Sequence, residues 1–74
     1  MPNAEINRNT MNKDYDLVSV LYHALQAADT SAQYGKDAET EGSEEVAQFM
    51  RNVEEQNRRI AEQAKELLVK QRQV

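Results

Sequence analysis

Apolar residues in the second half of the chain recur at alternating spacings of four and three. Such a heptad repeat is typical of an α-helix that packs along its whole length against other helices. Its members are Val46, Met50, Val53, Asn57, Ile60, Ala64, Leu67 and Gln71. The repeat therefore predicts one long helix with a polar residue, Asn57, at the centre of its packed face.

A second pattern with helical spacing fills the first half of the chain. It runs from Leu17 to Ala38 without a helix-breaking proline, and apolar residues on both flanks widen it. Its central line consists of Leu17, Leu21, Ala24, Ala28, Ser31, Gly35 and Ala38. The residues of this line become small towards its end. We therefore expect another helix close by, with close packing as the reason for a glycine inside the helix.

A glycine–serine pair separates the two patterns. Gly42 suits the left-handed conformation that ends helices, and Ser43 suits the capping position of the next one. Glu44 and Glu45 place negative charge in that helix's first turn, where the helix dipole favours it. We predict helices at about residues 14–40 and 44–70, a turn at 41–43, and a flexible polar leader at 1–13. Because the turn is short, the predicted fold is an all-α, antiparallel two-helix hairpin within residues 14–72.

The predicted apolar stripes are broader than one partner helix can cover. The chain has 74 residues and no cysteine, so neither a disulfide nor a thiolate metal site supports its small core. We therefore expect two hairpins to form a homodimeric four-helix bundle. Asn57, paired with its symmetry mate, would specify register and oligomeric state, because a slip would bury an unpaired amide. Docking onto the helices of another protein remains an alternative.

Composition narrows the classes of function. A net charge of −4 disfavours binding to nucleic acid. No apolar run approaches the roughly 20 residues of a membrane span, and the N-terminus lacks the apolar segment of a signal peptide. These features predict a cytoplasmic protein with neither nucleic-acid nor membrane partners. His23, the only histidine, lies with Ser19 on the polar side of its helix, and no nucleophile–base pair can be assembled, so we predict no catalytic residues.

Three polar residues stand out as candidates for a site. Folding the chain about Gly42 brings Asp29 level with Asn57. Glu54 lies one helical turn before Asn57. The two carboxylates could form ion pairs with Arg51 or Arg58, hold a metal, or join a buried hydrogen-bonded network with Asn57. Sequence alone leaves these three interpretations open.

Two segments of the chain, residues 21–29 (LYHALQAAD) and residues 47–59 (AQFMRNVEEQNRR), resemble the ferritin-like superfamily in its short, rubrerythrin-related form. The likeness covers about residues 15–70. It implies a two-helix subunit that dimerises into a four-helix bundle, as in the encapsulated ferritins. It also implies iron held by a Glu from the first helix and a Glu-x-x-His from the second. Asp29 stands at the first Glu, Glu54 at the second, and Asn57 where the family has His.

These observations favour a non-catalytic structural or interaction protein without a cofactor. The alternative is weak binding or oxidation of iron, or another divalent metal, at the dimer interface through Asp29 and Glu54 of both chains. Hard oxygen ligands would favour Mn, Fe(II) or Mg. Cargo of an encapsulating shell is a third hypothesis, which the short polar segment at 70–74 disfavours as a docking tail.

Overall fold

The fold is an all-α arrangement of two helices, as the sequence predicts. The computed structural model describes residues 12–72, which form helix α1 (Asn12–Thr40) and helix α2 (Glu44–Arg72). Helix α1 begins two residues before the predicted start, so Asn12 and Lys13 are helical. The rest of the predicted leader, 1–11, lies outside the described residues. Neither described helix is long and apolar enough to span a membrane.

A three-residue turn reverses the chain between the helices. Gly42 has a φ of 81°, the left-handed conformation that costs glycine no Cβ clash. The amide of Ser43 donates to the carbonyl of Ala38 at 2.9 Å, and that of Gly42 donates to the carbonyl of Glu39 at 3.0 Å. This pair of hydrogen bonds is the Schellman motif, which satisfies carbonyls at the helix end. The motif lets α2 begin at once and run back antiparallel to α1.

Small residues form the seam between the two helices. On α1 the buried residues are those of the predicted central line, except that Leu17 and Leu21 at its start are only half-buried. The buried residues of both helices are Ala24, Ala28, Ser31, Gly35, Ala38, Ala47, Ala61 and Ala64. None is larger than alanine or serine. The core of the hairpin is therefore narrow, and no large side chain is fully buried in it.

On α2 the predicted stripe needs a correction. Residues Ala47 and Ala61 face α1 instead of Val46 and Ile60, which stay 44% and 43% exposed. Each buried alanine follows the predicted apolar residue directly, so the buried face is rotated by about 100° at these positions. The prediction placed the bulky residues inside because heptad spacing does not distinguish two adjacent lines. Alanine permits a closer approach of the helices, and the larger residues are left outside.

The two glycines should respond in opposite directions to alanine. A Cβ built on Gly35 would lie 3.6 Å from the Cβ of Met50, an ordinary van der Waals distance, so close packing does not require a glycine there as the sequence suggested. We expect Gly35→Ala to stabilise the protein by up to about 1 kcal/mol, through helix propensity. Gly42→Ala should destabilise it by about 1–2 kcal/mol, because alanine is strained at a positive φ. Urea denaturation followed by circular dichroism measures both, and a loss of stability in Gly35→Ala would mean that the seam has no room for a methyl group.

Candidate interaction face and ion-pair cluster

One face of the hairpin carries charges that cross between the helices. Arg51 of α2 binds Glu39 of α1 at 2.7 Å, and its guanidinium also reaches Glu44 at 3.1 Å. Two helical turns further on, Arg58 reaches across to Asp29 of α1 in the same way. We call this side of the hairpin the charged face.

Arg58 is the centre of the ion-pair cluster on the charged face. Its guanidinium lies 2.9 Å from Glu54 and 3.3 Å from Asp29. Hydrogen bonds to Glu54 and then to Asp29 raise the pKa of Arg58 above its ordinary value. The two carboxylates thus lie beside one cation. Arg59 forms a separate i,i+4 ion pair with Glu55, at 3.1 Å.

The candidate metal ligands Asp29 and Glu54 are thus brought together, but around an arginine. The side chain of Asp29 is 78% exposed and that of Glu54 is 27% exposed. Within residues 12–72, no group of three or more His, Cys, Asp and Glu side chains could hold a metal ion. A metal held by these two carboxylates would have to displace Arg58, with further ligands supplied by a second chain. The ferritin-like metal site stays a prediction.

Asn57 lies half-buried beside the seam and bonds within its own helix. Its amide Nδ2 donates to the carbonyl of Val53 at 2.9 Å, four residues earlier. The amide oxygen of Asn57 is left to accept from another group, and its specification of the oligomer stays a prediction. His23 is exposed, as expected from its helical position, with its Nδ1 3.5 Å from the Ser19 hydroxyl and its ring against Tyr22.

The opposite side of the hairpin carries a band of exposed apolar residues. Seven-residue spacing aligns the exposed residues of each helix, on the side of the seam away from Arg51 and Arg58. This open face comprises Val20 and Tyr34 of α1 and Val46, Phe49, Ile60 and Leu67 of α2, all exposed by 43% or more. Ala27 and Val53, both half-buried, lie on the same lines.

Helical geometry separates the open face from the charged face. Ile60 follows Arg58 by two residues, about 200° around α2, and the seam with α1 lies between them. On α1, Ala27 and Asp29 are related in the same way. A second group of exposed apolar residues, Tyr15, Val18, Tyr22 and Leu25, lies on the charged-face side of α1 and ends where the arginines begin. Of these two groups, the open face is the longer and includes residues of both helices.

A shallow groove of about 380 Å³ lies on the outer side of α2, next to the open face. It is lined by Gln63, Glu66, Leu67 and Lys70, near the end of α2 that is far from the turn. At the turn end the open face projects Phe49, which is 60% exposed.

Comparison with known proteins supplies no relative. No family model, curated protein or solved structure matches this chain. The likeness to the ferritin-like superfamily rests on the residues quoted above alone.

Proposed function

We propose that this chain is a non-catalytic structural or interaction protein whose hairpin pairs with a second copy to form a homodimeric four-helix bundle. The observation that supports this is the inverted distribution of side-chain size. The seam contains only alanine, serine and glycine at its buried positions, while valine, isoleucine, leucine, phenylalanine and tyrosine stay on the open face. Covering that face would remove from water the apolar area that the seam cannot supply.

The size of the open face suits a dimer. Two helices of 29 residues give a surface roughly 40 Å long, and an interaxial distance of about 10 Å makes it roughly 20 Å wide. Its area is on the order of 800 Å², which is about what one partner contributes to a stable interface. The ferritin-like resemblance also implies a four-helix bundle, but one with Asp29 and Glu54 at its dimer interface.

The alternative function, iron or other divalent metal binding, draws support from the two carboxylates that converge on Arg58. It requires the charged faces of two copies to meet, so that Asp29 and Glu54 of both chains share a cavity. The bundle that we propose joins the open faces and keeps the two clusters apart on its outside. The two hypotheses therefore predict different interfaces.

Native mass spectrometry tests both. We expect the purified protein to be a dimer that gains no mass after anaerobic Fe(II) and then air. A monomer at micromolar concentration would contradict the proposed bundle. A dimer that gains iron, and loses it in the Asp29→Ala/Glu54→Ala variant, would establish the metal alternative instead. Arg58→Gln is the matched control, because it frees both carboxylates and should increase iron uptake only if they are the ligands.

A further inference from the structure

We propose that the second copy docks on the open face with its turn at the same end of the bundle, so that α1 of each copy packs on α2 of the other. This inference rests on the proposed function and adds the orientation of the partner. Two arrangements of face-to-face hairpins have two-fold symmetry. When the axis is parallel to the helices, the turns share one end and α1 lies on the partner's α2. When the axis is perpendicular to the helices, the turns lie at opposite ends and each helix lies on its own counterpart.

Symmetry fixes the register of the proposed arrangement. Rotation about an axis parallel to the helices moves no residue along that axis, so residues that are level within one hairpin are also level across the interface. Contacts across the seam show which residues these are. A Cβ built on Gly35 would lie 3.6 Å from the Cβ of Met50, and Asp29 pairs with Arg58 at 3.3 Å. Counting from Gly35 and Met50 in opposite directions along the two helices gives the level of every other residue.

Residue sizes on the open face are complementary in this register. The facing pairs, offset by about 3 Å along the axis, are Ala27 with the partner's Ile60, Tyr34 with the partner's Val53, and Val20 with the partner's Leu67. Each pair joins a smaller side chain to a larger one, so the facing helices can keep an even separation. In the other arrangement Ala27 would meet its own counterpart at the middle of α1, and no large side chain would fill the space between them.

Charge on the flank of the open face opposes the other arrangement. This flank of α1 carries Asp16, which is half-buried, and Asp37, which is exposed. If α1 packed on its own counterpart, centred on Gln26, Asp16 of each copy would lie beside Asp37 of the partner subunit, which gives two like-charge contacts. That arrangement would also bring Glu41 near Lys13 of the partner subunit. Both of these side chains are exposed, and an exposed ion pair contributes little.

The proposed arrangement instead places α1 against a surface without acidic residues. The two lines of α2 that it would meet on the partner consist of Val46, Val53, Ile60 and Leu67, and of Phe49, Gln56, Gln63 and Lys70. Counted from Gly35 and Met50, Asp16 comes next to the level of Lys70 of the partner subunit, which is an attractive contact. The like charges that remain are those of Glu41 in the two copies. They lie in the exposed turns at the end of the bundle, where salt screens them.

Spin-label distances test the orientation through the difference between two positions. The chain has no cysteine, so Thr40→Cys and Gln26→Cys each give one label per copy. Both residues are exposed, and heptad spacing puts them on one line of α1 that faces away from the seam. With the turns at the same end, the two intermolecular distances should agree to within about one helical turn, roughly 5 Å. With the turns at opposite ends, the distance at Thr40→Cys should be longer by at least about 20 Å, because each Thr40 lies that far beyond the middle of its helix.

Equal distances at the two positions are the expected result. A distance at Thr40→Cys that is longer by about 20 Å or more would overturn the orientation and leave the homodimer standing. The absence of any intermolecular distance at both positions would overturn the homodimer itself, and with it the proposed function. Gln33→Cys, on the same exposed line, gives a third point. Its distance should match the other two in the proposed arrangement and fall between them in the other, so the test survives if one labelled variant fails to fold.

Discussion

Ile60→Glu is expected to convert the dimer into a monomer while leaving the hairpin folded. Ile60 is at the middle of the open face and is already 43% exposed in the single hairpin. The substitution therefore removes little packing within one chain. In the bundle it would bury a carboxylate at the interface, at a cost of at least about 2 kcal/mol for each of the two copies. The dissociation constant should rise at least about a thousandfold, which sedimentation equilibrium can measure.

Val69→Glu is the matched control for this prediction. Val69 is on the same helix, is 55% exposed, and lies nine residues beyond Ile60, which places it on the opposite side of α2. If the hairpin acted as a monomer, the two substitutions should have equally small effects. We expect only Ile60→Glu to dissociate the dimer, with circular dichroism verifying that both variants remain helical. Equal dissociation constants for the two variants would contradict the use of the open face.

Ala28→Leu is expected to have the largest effect on the hairpin itself. Ala28 is completely buried in the seam, where the neighbouring buried residues are also small. A leucine there must push the helices apart or take a strained rotamer, at a cost of about 1–3 kcal/mol. For a domain of this size, each kcal/mol lowers the melting temperature by about 4–8 °C. Thermal denaturation followed by circular dichroism measures the shift.

Ala28→Ser tests whether size is the cause. Serine occurs in the same seam at Ser31, which is buried, and its hydroxyl can bond to a carbonyl of its own helix. We expect Ala28→Ser to cost only about 0.5 kcal/mol, from its lower helix propensity. A leucine variant as stable as the serine variant would mean that the seam is looser than the buried alanines indicate.

The two-helix fold could be predicted because its signals are local. Gly42 and Ser43 separate two long helical patterns. Gly42 suits the left-handed end of the first helix, and Ser43 suits the capping position of the second. The buried line of α1 could be predicted too, since its small residues follow one another at heptad spacing. These features depend on sequence neighbours, which a single chain reveals directly.

The orientation of α2 could not be predicted, because this helix carries two adjacent heptad lines. Val46 and Ile60 belong to one, and Ala47 and Ala61 belong to the other, while Met50 and Ala64 lie between them and fit both. Apolar pattern alone selects the bulkier line for the core. The actual selection depends on how closely α1 can approach, which its own small residues decide. The alanines of α2 mark its buried line, but this can be recognised only when α2 is considered together with the small residues of α1.

The candidate site was predictable in part for a similar reason. Helical spacing gives the pairs of Arg58 with Glu54 and of Arg59 with Glu55, since each is four residues apart. The contact of Arg58 with Asp29 spans 29 residues of sequence, and the sequence offered it only as one of three interpretations, because its existence depends on the rotation of α2. Because of that contact, the two candidate metal ligands Asp29 and Glu54 both form ion pairs with the guanidinium of Arg58.

The narrow alanine seam has a consequence for the amount of folded protein. A hairpin whose buried residues are all small has a modest free energy of unfolding of its own, and assembly into a bundle would add to it. Dilution would then lower the stability of the folded chain towards that of the single hairpin. The melting temperature of the protein would therefore rise with its concentration.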